Sequence, residues 1–417
     1  MRSLLDKFLD RLGPGFITGS SDDDPSGIAT YTQVGAQFGF GQLWTTFLNL
    51  PLMIAIQEMV GRIGMVSGQG LVSVLRHHYG KYVVWLVVAL VFMANTVNIG
   101  ADLGAMADAT RLLMPSIPFP ILLIVFTILI LGLEIFITYK TYANILKWFA
   151  FSLFSYLATA LIVTTDWFDV FRHAVIPTFS FDKPFVTGIV ALLGTTISPY
   201  LFIWQADEEI EEEISQGRTT IQKRRGAAPE EIKNMRMDTY IGMTFSQLIT
   251  FSIIVTAAGA FFRHGFHDIQ TTAQAAQALE PLAGRFAAYL FALGIIGTGL
   301  LAIPVLSASA SYALSEALGW KGGLFKKLKQ AHGFYGAITI ATLVGLLINF
   351  VGINPIKALY WTAVLNGIIT PPLVFIILLV ANNKKIMGKW KNGKLSNIFG
   401  LATLFATTTA VVLLFVL

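Results

Sequence analysis

No cysteine occurs among the 417 residues, which excludes a disulfide framework, thiolate metal ligands and a cysteine nucleophile. Charge is almost as scarce: Asp, Glu, Lys and Arg make up 13% of the chain against 55% hydrophobic residues, and the mean hydropathy is +0.67. A soluble domain carries about 25% charged residues, so the deficit points to a surface that meets lipid. No nucleophile–base pair and no cofactor motif is present, which argues against an enzyme, and neither a cofactor nor a nucleic-acid partner is expected. Residues 1–12 include Lys7 and Arg11. They lack a long apolar core and a small-residue cleavage site, so no cleaved signal peptide is expected there. The histidines (His77, His78, His173, His264, His267 and His332) fall in or near connections, without ligand spacing inside any apolar segment.

What the chain has instead is long apolar runs. A membrane-crossing helix needs about 20 predominantly apolar residues. Eleven segments meet that length, at about 13–38, 43–64, 82–106, 119–138, 143–164, 184–205, 238–262, 283–316, 332–351, 357–380 and 396–417. With the N-terminus placed in the cytoplasm, only Arg111, Arg172, Lys183, Arg263, Arg285 and Lys357 fall outside. The other 23 of the 29 Lys and Arg residues fall inside. That asymmetry is the positive-inside pattern, and it predicts a cytoplasmic N-terminus, an external C-terminus and residence in the cell (inner) membrane. The longest connection, about 206–237, carries Asp207, Glu208, Glu209, Glu211, Glu212 and Glu213 and then Lys223-Arg224-Arg225; mixed charge of this kind reads as a solvated helix. Tyr82, Trp85, Trp167 and Tyr335 near segment ends fit interfacial belts.

Two segments are irregular in their middles. The first contains Asp22-Asp23-Asp24-Pro25-Ser26-Gly27, and the sixth contains Thr195-Thr196-Ile197-Ser198-Pro199-Tyr200. Proline removes a backbone donor and clashes with the preceding turn, so both helices are expected to break. Breaks at corresponding places in spans one and six are the mark of an inverted-repeat transporter with a midplane site. The expected organisation is a single transmembrane domain in which residues 13–164 form a first five-span repeat and 184–380 a second. Residues 396–417 supply an extra eleventh span. The first break carries carboxylates and no Lys or Arg, and intramembrane carboxylates are functional by default. A cation is therefore the expected cargo.

At these two motifs the chain resembles the NRAMP family of divalent metal transporters, which have a LeuT-like fold. The family's Asp-Pro-Gly-Asn reads Asp24-Pro25-Ser26-Gly27 here, and its Ala-x-x-Met-Pro-His reads Thr195-Thr196-Ile197-Ser198-Pro199-Tyr200. The resemblance implies Asp24 as central metal ligand, with Ser198 and Thr195 opposite and Asp22 and Asp23 attracting the ion or holding its waters. Gly27 stands where the family has an amide ligand, and Ser198 where it has a thioether. Sulfur favours softer ions; an all-oxygen, roomier site suits partly hydrated Mg2+. The chain thus looks like the magnesium-transporting branch, with Mn2+ as the second candidate ion. Tyr200 replaces the family's proton-relay histidine, and a phenol, with an ordinary pKa near 10, is a poor proton carrier at neutral pH. Asp102 matches the span-three aspartate, but Ala105 replaces the glutamate. The resemblance therefore implies transport without proton coupling.

Further polar residues are candidates for the pathway. Asn95, Asn98 and Asp102 share one helical face by their spacing. Asn366 and Thr370 are one turn apart in span ten, and Glu58 lies in span two near Arg62. Glu134 is expected to pair with Lys140, and Ser307, Ser309 and Ser311 read as small packing residues. Two rival functions remain at this stage. One is a carrier of a small organic cation or amino acid, which would need an apolar-lined cavity. The other is a non-transporting sensor using the acidic 206–213 stretch.

Overall fold

The structure, a computed structural model, describes residues 13–136, 153–163 and 166–417. All regular elements among them are helical. In chain order the principal helices are α1 (Pro14–Asp22), α2 (Pro25–Phe38), α3 (Trp44–Ser67), α4 (Leu71–His78) and α5 (Lys81–Leu113). Then come α6 (Phe119–Phe136), α7 (Phe154–Val163), α8 (Trp167–Val175), α9 (Lys183–Thr196) and α10 (Pro199–Ser215). The last five are α11 (Pro229–Ala260), α12 (Ala287–Leu318), α13 (His332–Ile348), α14 (Pro355–Asn382) and α15 (Lys394–Val416).

Among the described residues, nine helical stretches are long and apolar enough to cross a bilayer. They correspond to expected spans two, three, four and six to eleven. Span one is present as α1 and α2, each too short to cross alone. Of span five, expected at 143–164, only α7 falls within the described residues.

The two interruptions have one local cause. A residue preceding proline is pushed out of the helical region, while proline itself is well suited to the first position of a new helix. Asp24 accordingly has φ −68° and ψ 172° ahead of Pro25, and Ser198 has φ −75° and ψ 132° ahead of Pro199. Proline alone does not decide the matter, because Pro51, Pro304, Pro371 and Pro372 all lie inside continuous helices.

Alternate helix ends gather on one face of the bundle, that of Gly13, Ser67, Ser215 and Leu318. On this N-terminal face two expectations need correction, those on the acidic stretch and on Tyr335. The acidic stretch 206–213 is not a solvated connection. α10 continues to Ser215, with Asp207, Glu208, Glu209 and Glu213 buried against its neighbours. Glu58, a pathway candidate near Arg62, is held by two arginines. Its Oε1 accepts from Arg62 Nε at 2.9 Å and from Arg236 Nε at 2.8 Å, and its Oε2 accepts from Arg62 Nη2 at 3.0 Å. Tyr335 is buried, not interfacial, and donates to the Lys326 carbonyl at 2.7 Å.

Arg62 also donates to Asn392 Oδ1 at 2.7 Å and to the Trp390 carbonyl, tying α3 to the segment before α15. Breaking a buried pair leaves an undercompensated charge. We expect Arg62→Met to lower stability by about 3 kcal/mol, read as a shift of the denaturation midpoint in detergent. Arg62→Lys should recover only part of it, because an ammonium lacks the two-pronged guanidinium.

Deeper in the bundle, Glu134 on α6 lies against the Ser307 hydroxyl of α12, which donates to it; the expected partner Lys140 lies outside the described residues. The three serines of α12 are more than spacers. Ser309 donates to the Tyr200 carbonyl at 2.9 Å, and Ser311 to the Phe334 carbonyl at 2.5 Å.

Candidate metal centre

The break in span one turns its polar groups into the bundle. Asp24 caps α2: its Oδ1 accepts from Gly27 N at 2.7 Å and from Ser26 Oγ at 2.6 Å, and its Oδ2 from Asn98 Nδ2 of α5 at 2.9 Å. A carboxylate at a helix N-terminus is favoured by the capping bond and by the helix dipole. All three donors are neutral, so the charge is oriented without being cancelled. Asp102, one turn along α5 from Asn98, is fully buried beside the Ser26 main chain, with no partner for either carboxyl oxygen.

Asp22 and Asp23 point elsewhere. Asp22 Oδ2 accepts from Ser246 Oγ of α11 at 2.8 Å, and its other oxygen has no partner. Asp23 lies next to Thr250, one turn further along α11, and neither of its oxygens is hydrogen-bonded. Tyr31 of α2 lies beside Thr195 and Thr250 without a formed bond to its hydroxyl. No three Asp, Glu or His side chains converge into one cage among the described residues. The aspartates instead fall into two groups, Asp22 and Asp23 toward α11 and Asp24 and Asp102 at α5.

The second break adjoins the first. Tyr200 at the start of α10 donates its hydroxyl to the Ser21 carbonyl of α1 at 2.7 Å. Ser198 folds back on its own chain, donating to the Gly194 carbonyl at 2.9 Å and the Thr195 carbonyl at 2.5 Å. The Ile197 carbonyl accepts from Thr370 Oγ1 of α14 at 3.1 Å, and Asn366 lies buried one turn before Thr370. The room left at Gly27 is partly taken by Tyr31, since a Cβ there would sit 3.2 Å from its ring.

Five carboxyl oxygens (one of Asp22, both of Asp23 and both of Asp102) are thus buried without a hydrogen-bond partner. Burying a charge without compensation is expensive, and Lys and Arg are absent from both breaks. The arrangement can hold cationic charge with oxygen donors alone. Sequence reasoning missed several of its members: Ser26, Tyr31, Ser246, Thr250, and Asn49 of α3, whose Nδ2 donates to Thr196 Oγ1 at 3.1 Å. The spacing of Ser246 and Thr250 by four in α11 was the one available signal.

Comparison with known proteins places these features in context. Residues 15–417 match the family described as natural resistance-associated macrophage protein-like, Nramp. The chain is 24% identical over 405 residues to the divalent metal cation transporter MntH of Caldanaerobacter subterraneus subsp. tengcongensis, covering 95% of this chain and 90% of that one. It is 26% identical over 389 residues to the protein of the same name from Klebsiella pneumoniae subsp. pneumoniae, covering 91% and 87%. Among solved structures, the Eremococcus coleocola manganese transporter, in complex with an aromatic bis-isothiourea compound, superposes with a TM-score of 0.79 at 15% identity. The match spans 98% of this chain and 87% of that one. The nucleobase–cation symporter Mhp1, in a closed conformation, matches with a TM-score of 0.55 at 14% identity over 97% and 92%. At such identities the two structures speak for the fold.

Proposed function

The chain belongs to the Nramp family and is an integral-membrane transporter of divalent metal cations, and we propose that its ion is Mg2+, with Mn2+ as a poorer substitute, moved without proton coupling. The observation that carries this reading is the donor set: carboxylates, hydroxyls and carbonyls surround both breaks, and the position before Pro199 is a serine. A site without sulfur loses its preference for softer ions. Mg2+ gives up its water reluctantly and is commonly held through one or two carboxylates.

Asp24 is the central ligand of the proposed site. Thr195 and Ser198 offer a carbonyl and a hydroxyl from the facing break, and Gly27 leaves space for a retained water. Asp22, Asp23 and Asp102 supply charge around it. Asn98 orients Asp24, Tyr200 holds α10 against α1, and Asn366 lies behind the second break. No histidine lies at this site, and the phenol of Tyr200 is committed to the Ser21 carbonyl. The driving force is then the ion gradient plus the membrane potential, worth about 4.6 kcal/mol per 100 mV for two charges. With the basic N-terminal face in the cytoplasm, an inside-negative potential drives uptake. The two five-span units, 13–164 and 184–380, would rock around the fixed site, with 396–417 outside the repeat.

Purified protein in liposomes with an inside-negative potential tests the reading. Mg2+ should enter while luminal pH stays constant, and Mn2+ entry should be competed by Mg2+. Mn2+ uptake that Mg2+ cannot compete overturns the magnesium assignment, and acidification in step with metal entry overturns the uncoupled mechanism. A second test exploits the absence of cysteine. Ser198→Cys adds one near-isosteric soft ligand, so Cd2+ should slow Mg2+ uptake severalfold in the variant and not in the parent. An unaffected variant would place Ser198 away from the ion.

A further inference from the structure

The buried acids of α10 form a second constellation, remote from the breaks. Asp207 follows Ser198 by nine residues, about 13 Å of helical rise. It is 3% exposed, and its Oδ2 has no hydrogen-bond partner. Glu316 near the end of α12 lies beside it. The two meet over Gly70, the residue before α4: a Cβ built on Gly70 would be 2.1 Å from Glu316 Oε1 and 2.4 Å from Asp207 Oδ1. The other oxygen of Glu316 accepts from Ser73 N in the first turn of α4 at 2.9 Å.

No salt bridge reaches either carboxylate among the described residues. The nearby Arg76 donates instead to the Glu316 main-chain carbonyl at 3.3 Å. Glu211, one turn beyond Asp207, is already satisfied by Tyr312 Oη at 2.5 Å, Leu324 N at 2.8 Å and Phe325 N at 3.2 Å. Asp207 and Glu316 approach within hydrogen-bonding range through the Oδ1 and Oε1 side of the pair, and two such carboxylates repel each other unless a shared proton or a cation lies between them.

We propose that Asp207 and Glu316, converging over Gly70, form a second cation site for a hard divalent ion that keeps part of its water shell. Two carboxylates with the remaining positions filled by water is a usual Mg2+ arrangement. An ion there joins α10, α12 and the start of α4 at the N-terminal face. That face is thereby locked when the ion is abundant on its side. The proposal stands independently of which ion the central site prefers.

Mn2+ alone, counted by electron paramagnetic resonance on the full-length protein in detergent, tests it. The parent should bind two Mn2+ and Asp24→Asn one, the remaining ion being at the second site. Asp207→Asn should also bind one, retained at the central site, which reports that the variant is folded. Gly70→Ala gives an independent check. Gly70 has φ −64° and ψ 164°, open to alanine, but the added methyl displaces the Glu316 carboxylate and should remove the same ion without changing any charge. If Asp24→Asn binds no Mn2+ at millimolar concentration, the two carboxylates share a proton and the proposal fails. It fails equally if the second ion persists in both Asp207→Asn and Gly70→Ala. Failure of the central-site reading looks different: Asp24→Asn would then bind as many ions as the parent.

Discussion

Asp24→Asn should leave a folded protein with Mg2+ uptake at least a hundredfold below the parent, a loss of about 2.8 kcal/mol or more. The exchange is nearly isosteric, and asparagine is as good an N-cap as aspartate. Its side-chain oxygen can still accept from Gly27 N and Ser26 Oγ. The new amide would face Asn98 Nδ2, a donor against a donor, but Asn98 Oδ1 has no partner, so turning the Asn98 amide over restores the bond. Local structure therefore survives. The negative charge does not, and between a divalent ion and a carboxylate in a dry interior the Coulomb energy is several kcal/mol even at an effective dielectric of about 20. Liposome flux with the variant reconstituted to equal density is the measurement. Uptake within a few-fold of the parent would show that the ion does not lean on Asp24, and that Asp22, Asp23 or Asp102 carries the site.

That expectation rests on a group visible in the sequence, and the reasons for its visibility are specific. A carboxylate eleven residues into an apolar run is costly to bury and therefore stands out, and the proline after it favours the start of a new helix that the carboxylate can cap. Hydropathy placed the nine spans found among the described residues because lipid imposes length and apolarity on each of them. The pairing of groups across helices was not legible. Asp22 with Ser246, Asn49 with Thr196 and Tyr200 with the Ser21 carbonyl join residues 224, 147 and 179 apart in the chain. In helices apolar on nearly every face, a lone hydroxyl does not say which neighbour it will meet.

Proline alone does not mark a break, and charge alone does not mark a solvated segment. Both expected breaks are present, at Pro25 and Pro199, yet Pro304 and Pro371-Pro372 sit in unbroken helices. What sets the breaks apart is the backbone ahead of the proline, extended at Asp24 and Ser198 but still helical at Thr370, although Thr370 is polar too. The acidic stretch 206–213 read as solvated because charge normally seeks water. In the fold its carboxylates are drawn inside by partners that composition could not supply, Tyr312 and the Leu324 and Phe325 amides around Glu211 among them.

Gly19→Ala should damage both stability and transport, although it adds one methyl and touches no ligand. A Cβ on Gly19 would lie 2.2 Å from the Gly242 carbonyl oxygen and 2.3 Å from its carbon. These are main-chain atoms of α11, so no side chain can turn aside and α1 itself must move. Overpacking against side chains costs about 1–3 kcal/mol; against backbone the upper end applies, and we expect a loss of at least about 3 kcal/mol on that scale. The shift spreads to the site because α1 ends there. It carries the Ser21 carbonyl that Tyr200 grips and the Asp22 carboxylate that Ser246 holds, so uptake should fall at least tenfold. Gly242→Ala should reproduce the defect from the other side, its Cβ falling 2.1 Å from the Gly15 carbonyl oxygen. Gly132→Ala in α6, where nothing lies within 4 Å of the added carbon, is the control and should instead stabilise its helix by about 1 kcal/mol through propensity. Thermal unfolding and flux measured on the three variants separate the cases. Parent-like behaviour of Gly19→Ala would mean that α1 and α11 do not touch through their backbones, and that the first break is not held in place by this contact.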